Sequence, residues 1–124
     1  MIEEIKYAAQ NSLVLVTGSS HGELPPLPQD KIVSATQEII LIGTMSSQDG
    51  DTSITLTNEE IETSTDSKLH IAYRGHLDTP NREISVRNIF DEIIIKLPTA
   101  TNSCEVSVWV NDDSEPDKLV VCFL

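Results

Sequence analysis

Basic residues are scarce in this 124-residue chain: eight Lys and Arg stand against twenty Asp and Glu, a formal charge of −12. A field of that sign repels nucleic acid and anionic membranes and attracts cation-rich partners, so the counterpart to expect is a basic protein surface. Long apolar runs are missing as well. Runs such as Ile39-Ile40-Leu41-Ile42 and Leu119–Leu124 are far short of the roughly 18 residues that suggest a membrane span. Met1-Ile2-Glu3-Glu4-Ile5 has neither the basic start nor the long apolar stretch of a secretory signal. The chain therefore reads as soluble and cytoplasmic. Cysteine is limited to Cys104 and Cys122, both inside apolar, strand-like segments and without the C-x-x-C spacing of a redox or zinc site. They read as buried thiols in a reducing compartment. Repeats, low-complexity tracts and linkers are absent, so residues 1–124 are expected to form a single domain, which at this length buries about two-thirds of the unfolded surface.

What is present is a series of short runs rich in β-branched residues. These are Ser12–Thr17, Glu38–Met45, Thr52–Thr57, Lys68–Arg74, Glu83–Ile89, Glu92–Leu97, Cys104–Val110 and Lys118–Leu124, each a strand signal. Breaker clusters separate them, among them Gly18–Pro28 with its three prolines, Ser46–Asp51, Leu77–Asn81 and Asn111–Asp117. Strands at this spacing without intervening helical patterns predict an all-β fold, an antiparallel β-sandwich of about eight strands. At most one short N-terminal helix is expected: Ile2–Gln10 has roughly helical spacing of Ile2, Ile5 and Ala9, and it equally suits an irregular first strand. Leu24-Pro25-Pro26-Leu27-Pro28 reads as an extended connection between sandwich edges. Alternation places Cys104, Val106, Val108 and Val110 on the core face and Glu105, Ser107 and Trp109 on the other. Ile84 and Val86 likewise face inward, while Ile93-Ile94-Ile95 and Val120-Val121, apolar on both faces, are expected in central or covered positions.

Catalytic and metal motifs fail on their surroundings. Gly18-Ser19-Ser20-His21-Gly22 matches G-x-S-x-G, but the elbow needs a following helix and the prolines after it prevent one. His70, His76 and Asp78 have no familiar zinc spacing. Asp49-Gly50-Asp51 opens an acidic loop, yet Ile54 and Leu56 look like core residues where an EF-hand would place ligands. The reading is of a protein that is not an enzyme, with no catalytic residue, no metal and no cofactor.

The acids are unevenly placed. Asp49, Asp51, Glu59, Glu60, Glu62 and Asp66 form one run without a Lys or Arg, and Asp112, Asp113, Glu115 and Asp117 form another, while residues 68–96 hold five bases against four acids. Trp109, the only tryptophan, is directed away from the core just before the second run. Aromatics supply desolvated contact area and carboxylates steer a basic partner, so Trp109 and these ten acids are the candidate partner-binding residues.

The second half, in Asn88-Ile89-Phe90-Asp91-Glu92-Ile93-Ile94-Ile95-Lys96-Leu97-Pro98 followed by Cys104-Glu105-Val106-Ser107-Val108-Trp109, resembles the C-terminal hairpin of the competence protein J family of nuclease inhibitors. Arg82-Glu83-Ile84-Ser85-Val86 also suits that family's strand order. A small acidic chain of this kind is similar, more broadly, to the immunity proteins of contact-dependent growth inhibition (CDI). The resemblance implies a class: an inhibitor that binds a basic nuclease toxin, expected to be an RNase, as a 1:1 heterodimer, covering its active site with an acidic surface. Two other readings follow from the residues alone. One is a ligand-binding sandwich, calcium-dependent or carbohydrate-binding; the other is an adaptor whose Lys118–Leu124 strand is an exposed sheet edge.

Overall fold

A computed structural model describes residues 1–19, 22–27, 31–59 and 68–124. Ten strands alternate with turns: β1 (Ile2–Tyr7), β2 (Leu13–Thr17), β3 (Val33–Ala35), β4 (Ile39–Gly43), β5 (Thr52–Thr57), β6 (His70–Asp78), β7 (Glu83–Arg87), β8 (Ile93–Pro98), β9 (Ser103–Val110) and β10 (Lys118–Phe123). Two single 3-10 turns, Gln10–Ser12 and Ser47–Asp49, are the helical content of the described residues. None is long and apolar enough to cross a membrane. The strands form two five-stranded sheets, β1-β5-β10-β9-β6 and β3-β4-β2-β7-β8.

The predicted alternation holds along β9: Cys104, Val106, Val108 and Val110 are buried between the sheets. They meet Ile54, Leu56, Leu119 and Val121 of their own sheet and Val14, Val16, Ile40, Ile42, Ile84 and Val86 of the other. Burying each such side chain contributes about 1.5–3 kcal/mol, and a period of two along every strand is what lets one face supply them all.

The fold decides two readings that stood open, at Ile2–Tyr7 and Lys118–Phe123, and corrects two others, at Val33–Ala35 and Ile93–Ile95. Ile2–Tyr7 is a strand, because Ile5 and Tyr7 pack against the core at alternate positions while the chain pairs with β5 along its whole length. Val33–Ala35 adds a short edge strand with no sequence signal of its own, formed because Val33 and Ala35 register against Ile42 and Ile40. Ile93-Ile94-Ile95 lies on an edge strand, β8, where a register irregularity opposite Val86 and Arg87 leaves Ile93 exposed. Lys118–Phe123 is central, paired on both sides with β5 and β9, so it offers no free edge.

The sheets are antiparallel with one exception: β10 runs parallel to β5. Both strands therefore start at the same end of the sandwich, and the loops leading into them, residues 44–51 and 111–117, become neighbours. Backbone bonds fasten them, from Met45 N–H to the Pro116 carbonyl (2.9 Å) and from Ser53 N–H to the Asp117 carbonyl (2.8 Å).

Candidate protein-binding surface

That shared start gathers the acids. Asp49 and Asp51 precede β5, while Asp112, Asp113, Glu115 and Asp117 lie between β9 and β10. The 88–92 loop joins them, because β7 ends and β8 begins at this same end. Asn88 Nδ2 donates to the Tyr7 hydroxyl (3.0 Å), and Tyr7 closes β1 opposite Thr52. Asp91 and Glu92 thus belong to the same surface. The three loops 44–51, 88–92 and 111–117 contain eight carboxylates and no Lys or Arg.

The 111–117 loop is rigid by construction. Asp112 Oδ1 accepts from the backbone N–H of Ser114 (2.8 Å) and Glu115 (3.1 Å) and from the Ser114 hydroxyl (3.0 Å). Those donors hold the Asp112 carboxyl below its usual pKa, the Ser114 and Glu115 amides first, so it stays ionised. Asn111 bridges the loop's ends: its Oδ1 accepts from the N–H of Asp117 and Lys118, both at 3.2 Å, and its Nδ2 donates to Asp117. Pro116 is buried beneath it. Asp113 reaches across to His70 Nε2 at the start of β6. This bond raises the His70 pKa, with weaker help from the Lys68 carbonyl and the Asp113 and Asp112 charges, against a small desolvation effect.

An open groove of about 500 Å³ runs from this loop towards the other sheet, lined by Asn11, Ser12, Lys31, Asp113, Ser114 and Glu115 among others. Lys31 supplies one cation at its rim, and Lys6 and Lys118 stand beside Asp51 and Asp117 in a second, shallower hollow. Beneath the Asp51 loop the Thr52 hydroxyl is buried without a hydrogen-bond partner.

Not every predicted contact residue comes to this end. Glu59 follows β5 and so lies a strand length away, roughly 20 Å at six residues. There it stands 3.8 Å from the Met1 amino group, and its carbonyl accepts from the Cys122 thiol (3.3 Å). Glu60, Glu62 and Asp66 lie outside the described residues, as do Ser20 and His21. Trp109 points away from the core as alternation requires, but it is half-buried on the sheet face, between Ile71 and Val120 of the flanking strands, with Nε1 donating to Ser107 Oγ (3.1 Å). Among the described residues no three His, Cys, Asp or Glu side chains converge as a metal-binding group. Cys104 faces the core and Cys122 the opposite sheet face, so the two form no disulfide with each other.

Sequence reasoning missed Asp91 and Glu92, which sit in the electrically balanced stretch 68–96 and join the acidic end only through the fold. It also missed Phe90 between them and Asn88. A signal was present: Asn88, Asp91 and Glu92 interrupt two strand runs, and a Phe inside such a turn has no neighbouring apolar position to alternate with.

No family model matches the chain, and no curated protein matches its sequence. A solved structure does match its architecture: the crystal structure of ComJ, inhibitor of the DNA degrading activity of NucA, from Bacillus subtilis. The superposition covers 99% of this chain and 97% of ComJ with a TM-score of 0.66 at 12% sequence identity. The chain shares the fold of ComJ. The likeness runs the whole length, including the first strands, for which the sequence carried no resemblance.

Proposed function

We propose that this protein is an inhibitor of a nuclease, acting by binding and without catalysis of its own. The ComJ-like architecture carries this reading, and the eight carboxylates of the three loops supply its mechanism. A nuclease holds phosphates in a basic cleft, and a rigid acidic surface occupies such a cleft as a phosphate mimic. Complementary fields also raise the association rate, so the enzyme is captured before it cuts nucleic acid. More specifically, the partner is a basic bacterial nuclease toxin of the RNA-degrading class, held 1:1 in the cytoplasm of the cell that makes it, as CDI immunity proteins hold theirs.

Titration of the protein into NucA degrading DNA, and in parallel into basic RNase toxin domains degrading RNA, tests both levels. Stoichiometric loss of activity that is relieved by salt is expected. Inhibition of NucA alone keeps the inhibitor reading and removes the RNase assignment; inhibition of none removes both.

A further inference from the structure

Most of the acidic end is polar, yet large apolar side chains are exposed at it, Leu27 (64%) in the groove and Phe90 on the 88–92 loop. Phe90 is 65% exposed at the tip of the 88–92 loop. Leaving a Phe in water forgoes the stabilisation its burial would give, and here the loop is built to keep it there. Asn88, only 4% exposed, is the hub. Its Oδ1 accepts from Phe90 N–H (2.9 Å) and Glu92 N–H (3.0 Å), and its Nδ2 donates to Glu92 Oε1 (2.9 Å) as well as to Tyr7. Asp91 takes a left-handed backbone conformation (φ 63°), which a short polar side chain tolerates. Arg87 clamps it, donating to Asp91 Oδ1 (3.0 Å) while its Nε is held by Ser85 Oγ (3.0 Å).

We propose that Phe90 is the apolar anchor of the acidic docking surface, and that the protein partner offers it an apolar pocket rimmed by Lys or Arg. The proposal rests on the nuclease-inhibitor reading above and adds where on the partner the chain seats. Three observations converge on that occupant. The rim is basic, because Glu92 lies two residues beyond Phe90 and Asp49 and Asp51 follow beyond Tyr7 and Thr52, while Asp91 is already held by Arg87. The pocket is apolar, because Phe90 itself is 65% exposed and Ile93, at the start of β8, is 45% exposed. The backbone that carries the anchor is also fixed before contact, by Asn88 Oδ1 on Phe90 N–H and Glu92 N–H, so less loop freedom is lost when it docks. Charge steers and orients; Phe90 holds.

Affinity for NucA, measured by calorimetry at two salt concentrations, tests this. Phe90→Ala is expected to weaken binding by roughly 10- to 100-fold with the salt dependence unchanged, Phe90→Leu to restore most of the loss, and Leu24→Ala, an exposed apolar residue next to Glu23, whose backbone bonds Thr36 and Glu38 at the other end of the sandwich, to have no effect. The thermal melts of all three should match the parent, since Phe90 and Leu24 are exposed. Phe90→Ala binding within about twofold of the parent overturns the anchor while leaving the inhibitor reading in place. Failure of the parent chain itself to bind or inhibit NucA or an RNase toxin overturns both.

Discussion

At the end of the sandwich where β5 finishes, three acids stand by cations, Glu59 3.8 Å from the Met1 amino group, Glu83 3.7 Å from Lys96 and Glu105 3.8 Å from Arg74, while Glu38 and Asp78 have no ion pair among the described residues. At the end where β5 begins, Asp49, Asp51, Asp112, Glu115 and Asp117 have no ion pair among the described residues; Asp91 pairs with Arg87 and Asp113 with His70. Exposed pairs of this kind contribute about 0–1 kcal/mol, so the contrast says little about stability. What differs is the field. Arg74, Arg82 and Lys96 stand among the acids of the first end, whereas the three loops of the second carry eight carboxylates and no Lys or Arg, a density of one sign whose potential reaches into solvent. The two ends are also fastened differently. Near β5's start the loops are held by side chains that cap backbone N–H groups, with Asp112, Asn111 and Asn88 as hubs. At the other end the hydroxyls of Thr17, Thr36 and Thr57 hold the loops, and backbones also approach closely there: a Cβ on Gly18 would strike the Asp78 carbonyl oxygen and lie 2.7 Å from Thr79 Cα. One end shapes a surface, and the other locks the sheets together.

Charge reversal breaks this comparison most directly. Asp49→Lys, Asp51→Lys, Asp112→Lys and Glu115→Lys together should lower affinity for a basic nuclease by at least about 100-fold at low salt, through several lost charge contacts. Glu59→Lys, Glu83→Lys and Glu105→Lys together should change it only a few-fold. Equal losses from the two sets, read by calorimetry or by inhibition of nucleic-acid cleavage, would mean that net charge alone matters and the end does not.

Gly18→Ala probes the locked end. The carbonyl it would strike is part of the chain, so the sheets must shift, and a loss of about 1–3 kcal/mol of stability is expected. Urea denaturation measures it as a lower midpoint at unchanged slope. An unchanged midpoint would show that Asp78 and Thr79 move freely and that the two ends are equally compliant.

The smallest effect concerns His70. Its Asp113 contact raises its pKa in the folded chain above the usual 6.5. The contact's contribution to stability is therefore fully present below the unfolded value and fades as pH rises through the folded one. NMR titration of the imidazole should show the raised midpoint, and Asp113→Asn should return it towards 6.5. A midpoint unmoved by that substitution would leave the Lys68 carbonyl and the remaining field as the cause.

Much of the architecture was legible because period-two patterning is local. Val106, Val108 and Val110 announce a strand and its inner face within five residues, and β5 falls where Thr52–Thr57 was read. What stayed hidden depends on partners far along the chain. Ile2–Tyr7 is a strand only because β5 receives it, and Val33–Ala35 only because β4 does. The acids show the same limit. Asp51 and Glu59 are close in sequence and lie at opposite ends of one strand, whereas Asp51 and Asp117 are distant in sequence and adjacent in space. Runs counted along the chain mixed the two ends, and only strand direction sorts them.

The parallel pairing of β10 with β5 has a kinetic meaning too. It joins Ser53 to Lys118 across most of the second half of the chain, and contacts of such sequence separation close late because loop entropy must be overcome before they form. Until β10 slots between β5 and β9, the acidic segments are scattered along an unfinished chain. The surface read here as the docking site thus needs this long-range pairing, so a chain in which β10 has not joined β5 lacks it.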